Sequence, residues 1–163
     1  PEDPSKGVIY GGVAGWGQLK TSEEFFKKYK LGKKFNLNVA GSDAALAGTM
    51  VGAYKKKRAW CGYYWAPTAI LGKYDMVRLK GSEYPAADVN ILVNKSMLNK
   101  APDIVEILKK YSTTVKQNNE FLAKMDDEKW DSSKTAIWFL KNKEDVWTKW
   151  VSAEVAAKVK AAL

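Results

Sequence analysis

Histidine is missing from all 163 residues. With it go the usual general base, the commonest metal ligand and the side chain that changes charge near neutral pH. Ser-His-Asp and Cys-His catalysis therefore cannot be assembled within this chain. A single cysteine, Cys61, excludes an internal disulfide and a cysteine-rich zinc site, and leaves the compartment undecided. No apolar run approaches the ~20 residues of a membrane span. The chain opens on Pro1 rather than methionine, so a processed product or a cut fragment is expected, with any targeting segment lying elsewhere. Neither a metal nor a cofactor is expected.

What remains is globular in composition, 46% hydrophobic and 28% charged, and long enough for one domain or two small lobes. Net charge is +9, unevenly spread. Residues 1–87 hold 14 Lys and Arg against 7 Asp and Glu, leaving +7; residues 88–163 hold 13 against 11, leaving +2. A basic half is a signature of nucleic-acid or anionic-surface binding. Here, however, the cations come in short clusters (Lys27-Lys28, Lys33-Lys34, Lys55-Lys56-Lys57-Arg58) at expected helix ends, where they complement the helix dipole.

The first part alternates between strands and helices. Val8-Ile9-Tyr10 reads as a buried strand, and Thr21-Ser22-Glu23-Glu24 as the start of a helix ending at Gly32. Phe35 to Val39 alternates as a strand, and Ser42 or Asp43 caps a helix through Tyr54. Trp60 to Trp65 and Met76 to Leu79 are the next expected strands. Strands separated by helices predict an α/β sheet, mostly parallel. Residues 81–88, GSEYPAAD, are the best boundary. Beyond it one strand, Val89 to Val93, precedes helices: one opened by Pro102 and running through Leu108, then 113–125, 132–142 and 144–161. In the last, Trp147, Trp150, Val151, Val155 and Val159 form a stripe expected to face the core. The acids Asp126, Asp127, Glu128 and Asp131 lack the glycine and spacing of an EF-hand loop, and read as a solvated helix junction.

Two stretches could carry chemistry. In GVIYGGVAGWGQ, residues 7–18, the spacing of Gly11, Gly12, Gly15 and Gly17 fails both the dinucleotide and the P-loop patterns. Glycine-freed N–H groups ahead of a helix could still hold a carboxylate, with Trp16 flanking it. In GYYWAPTAI, residues 62–70, Trp65 sits where a strand ends before Pro67. Ligands collect at the carboxyl ends of strands in open α/β sheets, so Trp16 and Trp65 would share one rim as facing walls of a box. Cation–π attraction in such a box is worth ~0.5–2 kcal/mol per ring. Box and anion loop together suit a small zwitterion. Trp60, Trp130, Trp138, Trp147 and Trp150 read as packing residues.

The order YGGVAGWGQ, then helix–strand–helix, then AWCGYYWAPTAILGKYDMVRLK, resembles the substrate-binding proteins of glycine betaine/proline-betaine ABC importers (OpuAC/ProX-like). The closing AIWFLKNKEDVWTKWV is similar to that family's C-terminal helices, and the likeness is to its C-terminal half. The resemblance implies a type II periplasmic-binding-protein fold: a ligand-binding α/β lobe over 1–80, a crossover at 81–88, and over 89–163 the mostly helical returning part of the other lobe. It implies binding of a quaternary-ammonium zwitterion for an ABC importer, without catalysis. Trp16 and Trp65 carry over as cage walls, and the N–H groups of Gly17 and Gln18 as carboxylate donors. Choline, carnitine and sulfonium analogues are further ligands of the class. The implied partners are a permease and a betaine-type ligand but no nucleic acid; the implied place is periplasmic or extracytoplasmic, at the membrane through the transporter. With half of the first lobe absent, residues 89–163 would expose an apolar face, and a homodimer through that helical half is expected. Two other readings stay open: a basic nucleic-acid or anionic-surface binder, and a nucleotide-using transferase on the glycine loop.

Overall fold

The structure, a computed structural model, describes residues 3–81, 84 and 88–163. They fall into two compact units. One holds the described residues of 1–66 and 74–86; the other holds 67–73 and the described residues of 87–163. The segment 67–73 thus packs with the helical unit, although it lies inside the lobe expected over 1–80. The expected crossover at 81–88 falls mostly on residues outside the described ones.

The first unit is built on a β–α–β–α run: β1 (Gly7–Val13), α1 (Gly17–Lys28), β2 (Phe35–Ala40) and α2 (Asp43–Lys55). The two strands pair in parallel, from Gly7 opposite Phe35 to Val13 opposite Ala40, with an irregularity between Tyr10 and Gly12. Parallel pairing requires a crossover, and α1 supplies it. Val13, Ala40 and Leu46 form the buried centre, with Tyr10, Trp16, Trp60, Tyr63, Tyr64 and Trp65 packed around them. Leu46 and Met50 of α2 are fully buried, each burial contributing ~1.5–3 kcal/mol. Ser42 caps α2 as its sequence predicts, its side chain accepting the Ala45 N–H at 3.1 Å.

Several expectations need correcting. Strand β1 runs three residues past Tyr10, so Gly11 and Gly12 belong to the strand rather than to a loop. A Cβ on Gly11 would stand 2.9 Å from Leu37. Helix α1 starts at Gly17, not near Thr21, with extended Trp16 at its N-cap; Ser22 lies inside the helix, buried, its hydroxyl bonded to that of Tyr84 at 2.6 Å. The strand expected over 60–65 shrinks to a single parallel bridge between Tyr10 and Gly62. There Tyr10 N–H donates to Cys61 O at 3.0 Å, and Tyr63 N–H to Tyr10 O at 2.7 Å. Neither 76–79 nor 89–93 forms a strand. A strand exists only where a neighbour takes its backbone hydrogen bonds in a ladder, and the sheet among the described residues is the β1–β2 pair.

The second unit is helical: α3 (Ala69–Lys73), α4 (Met97–Lys100), α5 (Pro102–Lys110), α6 (Val115–Glu128), α7 (Ser132–Asn142), α8 (Glu144–Trp147) and α9 (Ala153–Ala162). Thr114 and Gln117 form a capping box on α6, and Asp131 caps α7. Helix α3 lies tightly on α6: a Cβ on Gly72 would meet the Asn119 backbone and come within 2.7 Å of Ala123 Cβ. Lys73 reaches both Asp126 and Asp127, the latter at 2.6 Å, so the acidic junction is an ion-pair site. The single helix expected over 144–161 breaks, because Val151 is extended and Ser152 caps a new helix. Its stripe is split accordingly: Trp147 is buried, Val155 is 40% exposed, and Ala156 is the buried residue of α9.

Candidate functional site

The turn from β1 into α1 is the centre of the first unit's carboxyl edge. Gly15 takes φ of +83°, a left-handed value that glycine adopts without strain. Trp16 follows in extended conformation at the N-cap, its N–H donating to Val13 O at 3.1 Å. An indole has no acceptor to offer the helix, so α1 has no side-chain cap, and its first turn contains no acid. Leu19 N–H donates to Trp16 O at 3.1 Å. The N–H groups of Gly17 and Gln18 come before the first possible intrahelical bond and lie on exposed residues. Among the described helices of eight or more residues, α1 is unlike α2, α5, α6, α7 and α9, each of which has a side-chain cap, a first-turn acid or both.

Trp65 arrives from the other side. The bridge at Gly62 ties its segment beside Tyr10, and Tyr63, Tyr64 and Trp65 continue toward the same edge. Trp16 and Trp65 meet with ring centres 5.1 Å apart and planes at 70°. The two indoles are therefore adjoining walls at a corner, not walls facing each other across a ligand. At that separation their edge-to-face contact fills the space between them.

The corner stands on further aromatic rings. Tyr64 stacks on Trp65 at 4.6 Å and Tyr63 at 6.3 Å, while Tyr84 meets Tyr63 edge-on at 4.9 Å and Phe25 at 5.6 Å. Burial pushes the hydroxyls of Tyr63, Tyr64 and Tyr84 above the usual phenol range; the Tyr84 hydroxyl adds to the effect at Tyr63 and the Asp43 carboxylate at Tyr64. Burial also raises the Cys61 thiol, which keeps it protonated and unreactive. The tyrosines are the residues that reading for tryptophans missed. The run GYYW was the available signal for two of them. Nothing local marks Tyr84, which sits in the boundary segment.

The family described as the substrate binding domain of ABC-type glycine betaine transport systems, OpuAC, matches residues 1–142. The chain belongs to the OpuAC family. A solved structure of lactococcal OpuAC, in its closed-liganded conformation complexed with glycine betaine, is similar to it at 22% identity with a TM-score of 0.59. The likeness covers 89% of this chain and 57% of that one, so the chain spans a little over half the length of that OpuAC. No curated protein sequence matches it. The fold of this OpuAC chain is of the type II periplasmic-binding-protein kind, with one α/β lobe and a mostly helical part of a second. Among the described residues of this OpuAC chain, no group of His, Cys, Asp and Glu could hold a metal ion. None of its described helices is long and apolar enough to cross a membrane.

Proposed function

We propose that this OpuAC chain binds a small quaternary-ammonium zwitterion of the glycine betaine kind and, as an extracytoplasmic component, delivers it to an ABC importer without chemical change. The observation that carries the reading is the adjacency of the Trp16–Trp65 corner to the uncapped, acid-free start of α1. Trimethylammonium has no N–H to donate, so it is recognised by the electron-rich faces of rings rather than by hydrogen-bond acceptors. A carboxylate one to three carbons away is then met by the Gly17 and Gln18 N–H groups and the positive end of the α1 dipole. One ligand satisfies both halves only if it carries both charges.

The test is tryptophan fluorescence titrated with glycine betaine, proline betaine, carnitine and choline. Saturable changes are expected with the first three, and a markedly weaker one with choline, which lacks the carboxylate. Choline binding as tightly as glycine betaine would remove the role given to α1, and no saturable change with any of the four would remove the site. We further propose self-association through the helical unit, where Val89 and Leu92 are 98% and 92% exposed. Light scattering at high concentration is expected to report a dimer.

A further inference from the structure

The amino edge of the same sheet, opposite the tryptophan corner, is strongly cationic, and the charge is arranged rather than scattered. In a β–α–β unit each crossover helix returns antiparallel to its strands, so its C-terminus lies at the strands' amino ends. Here Gly7 N–H donates to Lys34 O at 3.0 Å and Lys6 Nζ to Gly32 O at 2.9 Å, holding the segment that follows α1 beside the start of β1. A second recess, lined by Val8, Gly52, Lys56 and Arg58 among others, places the end of α2 along the same half of β1. Five lysines from Lys27 to Lys34 and the four-residue run Lys55 to Arg58 therefore share one rim. None of these nine side chains has an ion pair among the described residues; Lys28 lies over the Tyr29 ring at 5.2 Å. The described acids near it are Asp3, paired with Lys6 at 3.7 Å, Asp75, and Glu23 and Glu24, which stand one turn before Lys27 and Lys28 on α1 without forming an ion pair.

Apolar and aromatic groups are interleaved with these cations. Tyr29, Tyr54 and Val8 are 46%, 44% and 37% exposed. Tyr54 packs on Tyr74 at 4.7 Å, and the two rings with Lys55, Lys57 and Arg58 line an open recess of about 600 Å³. Helix-dipole complementarity accounts for a cation or two in each last turn; it does not account for nine outside any ion pair on one rim, beside half-exposed tyrosines.

We propose that this rim is a docking surface for an anionic phospholipid membrane. Cations spread over two helix ends match a plane of phosphate headgroups, and tyrosine rings settle at that depth. A single-stranded nucleic acid would need free ring faces for its bases, whereas Tyr54 and Tyr74 pack against each other; a duplex would need none and is tested directly below. The choice of a membrane rests on the extracytoplasmic, transporter-linked reading given above; the charge arrangement does not. The rim lies a strand's length, roughly 20 Å, from the tryptophan corner, beyond the ~8 Å screening distance at physiological salt. Docking and betaine binding are thus electrically independent.

The experiment is co-sedimentation of the chain with vesicles of phosphatidylglycerol mixed with phosphatidylcholine, and with phosphatidylcholine alone. Binding is expected only to the anionic vesicles, and it should vanish in high salt. Lys55→Glu/Lys57→Glu/Arg58→Glu should weaken it at least about 100-fold while leaving the betaine fluorescence titration unchanged. If that triple variant fails to fold, Lys27→Glu/Lys28→Glu/Lys33→Glu removes the other half of the rim and should act the same way. Failure to sediment with anionic vesicles at low salt, or binding that survives either folded variant, overturns the proposal. Tighter binding to a DNA duplex than to the vesicles overturns it in favour of a nucleic-acid surface. Because the betaine titration is read on the same samples, failure of docking is distinguishable from failure of the ligand site.

Discussion

The indole of Trp65 stands edge-on to the indole of Trp16, with ring centres 5.1 Å apart and planes at 70°. Each ring is thus both a prospective ligand wall and the packing partner of the other wall. Such a contact contributes ~0.5–1.5 kcal/mol beyond its buried area. It also joins the segment leaving the Gly62 bridge to the turn that opens α1, so the two halves of the site are held in one piece.

Removing one wall should disturb the other. Trp16→Ala is expected to weaken glycine betaine binding by up to about 30-fold, the equivalent of one cation–π contact of ~2 kcal/mol, and to lower thermal stability as well. Trp65→Phe keeps a ring and should lose less of both. Calorimetric titration paired with thermal melts checks this; Trp16→Ala with unchanged affinity would show that the corner is packing only.

Gln18→Glu separates binding from stability. A carboxylate in the first turn of α1 interacts favourably with the helix dipole and should stabilise the chain by ~0.3–1 kcal/mol. The same charge repels a ligand carboxylate at the Gln18 N–H, so betaine affinity should fall while the melting temperature rises. Both quantities moving in the same direction would contradict the role assigned to the α1 start.

Gly72 and Gly48 should respond oppositely to alanine. At Gly72 a methyl group would push into the Asn119 backbone and Ala123, whereas at Gly48, inside α2, a Cβ meets nothing within 4 Å. Gly72→Ala is expected to cost ~1–3 kcal/mol by overpacking, and Gly48→Ala to add ~0.4–1 kcal/mol by restricting the unfolded chain. Denaturant unfolding of the two variants reads the difference directly.

The tyrosine cluster should make the first unit sensitive to alkali. Burial keeps Tyr63, Tyr64 and Tyr84 protonated in the folded chain at pH values where the unfolded chain ionises them, near 10. Their contribution is fully present below that pH and is lost as the pH rises through their higher folded values. Tyrosinate absorbance is expected to appear in two stages, exposed rings first and these three together with unfolding. All eight tyrosines of the chain titrating as one class, with the fold intact, would sink this account.

Much of the architecture was legible in the order of the residues. Strict alternation over Phe35 to Val39 marks a strand, Ser42 marks a helix start, and Pro102 opens α5, because each is a local preference that its own neighbours satisfy. The Gly-Trp-Gly turn and the Trp-Ala-Pro segment are short local motifs as well, and they carry both the family resemblance and the candidate site. The misreadings share a different cause. Residues 76–79 and 89–93 have strand-like side chains, but a strand is completed by a neighbour that no local pattern supplies. Thr21-Ser22-Glu23-Glu24 reads as a helix start, whereas it lies inside α1, where Ser22 bonds the hydroxyl of Tyr84, 62 residues away. The sequence by itself determined that Trp16 stands on a glycine turn between a strand and a helix, and that Trp65 lies just before a proline. Only the tertiary structure decided that Trp16 and Trp65 form a corner rather than a slot, that Tyr63, Tyr64 and Tyr84 stand beside it, and that two lysine clusters share the opposite rim. Those relations depend on contacts between residues far apart in the chain, and packing in three dimensions sets them.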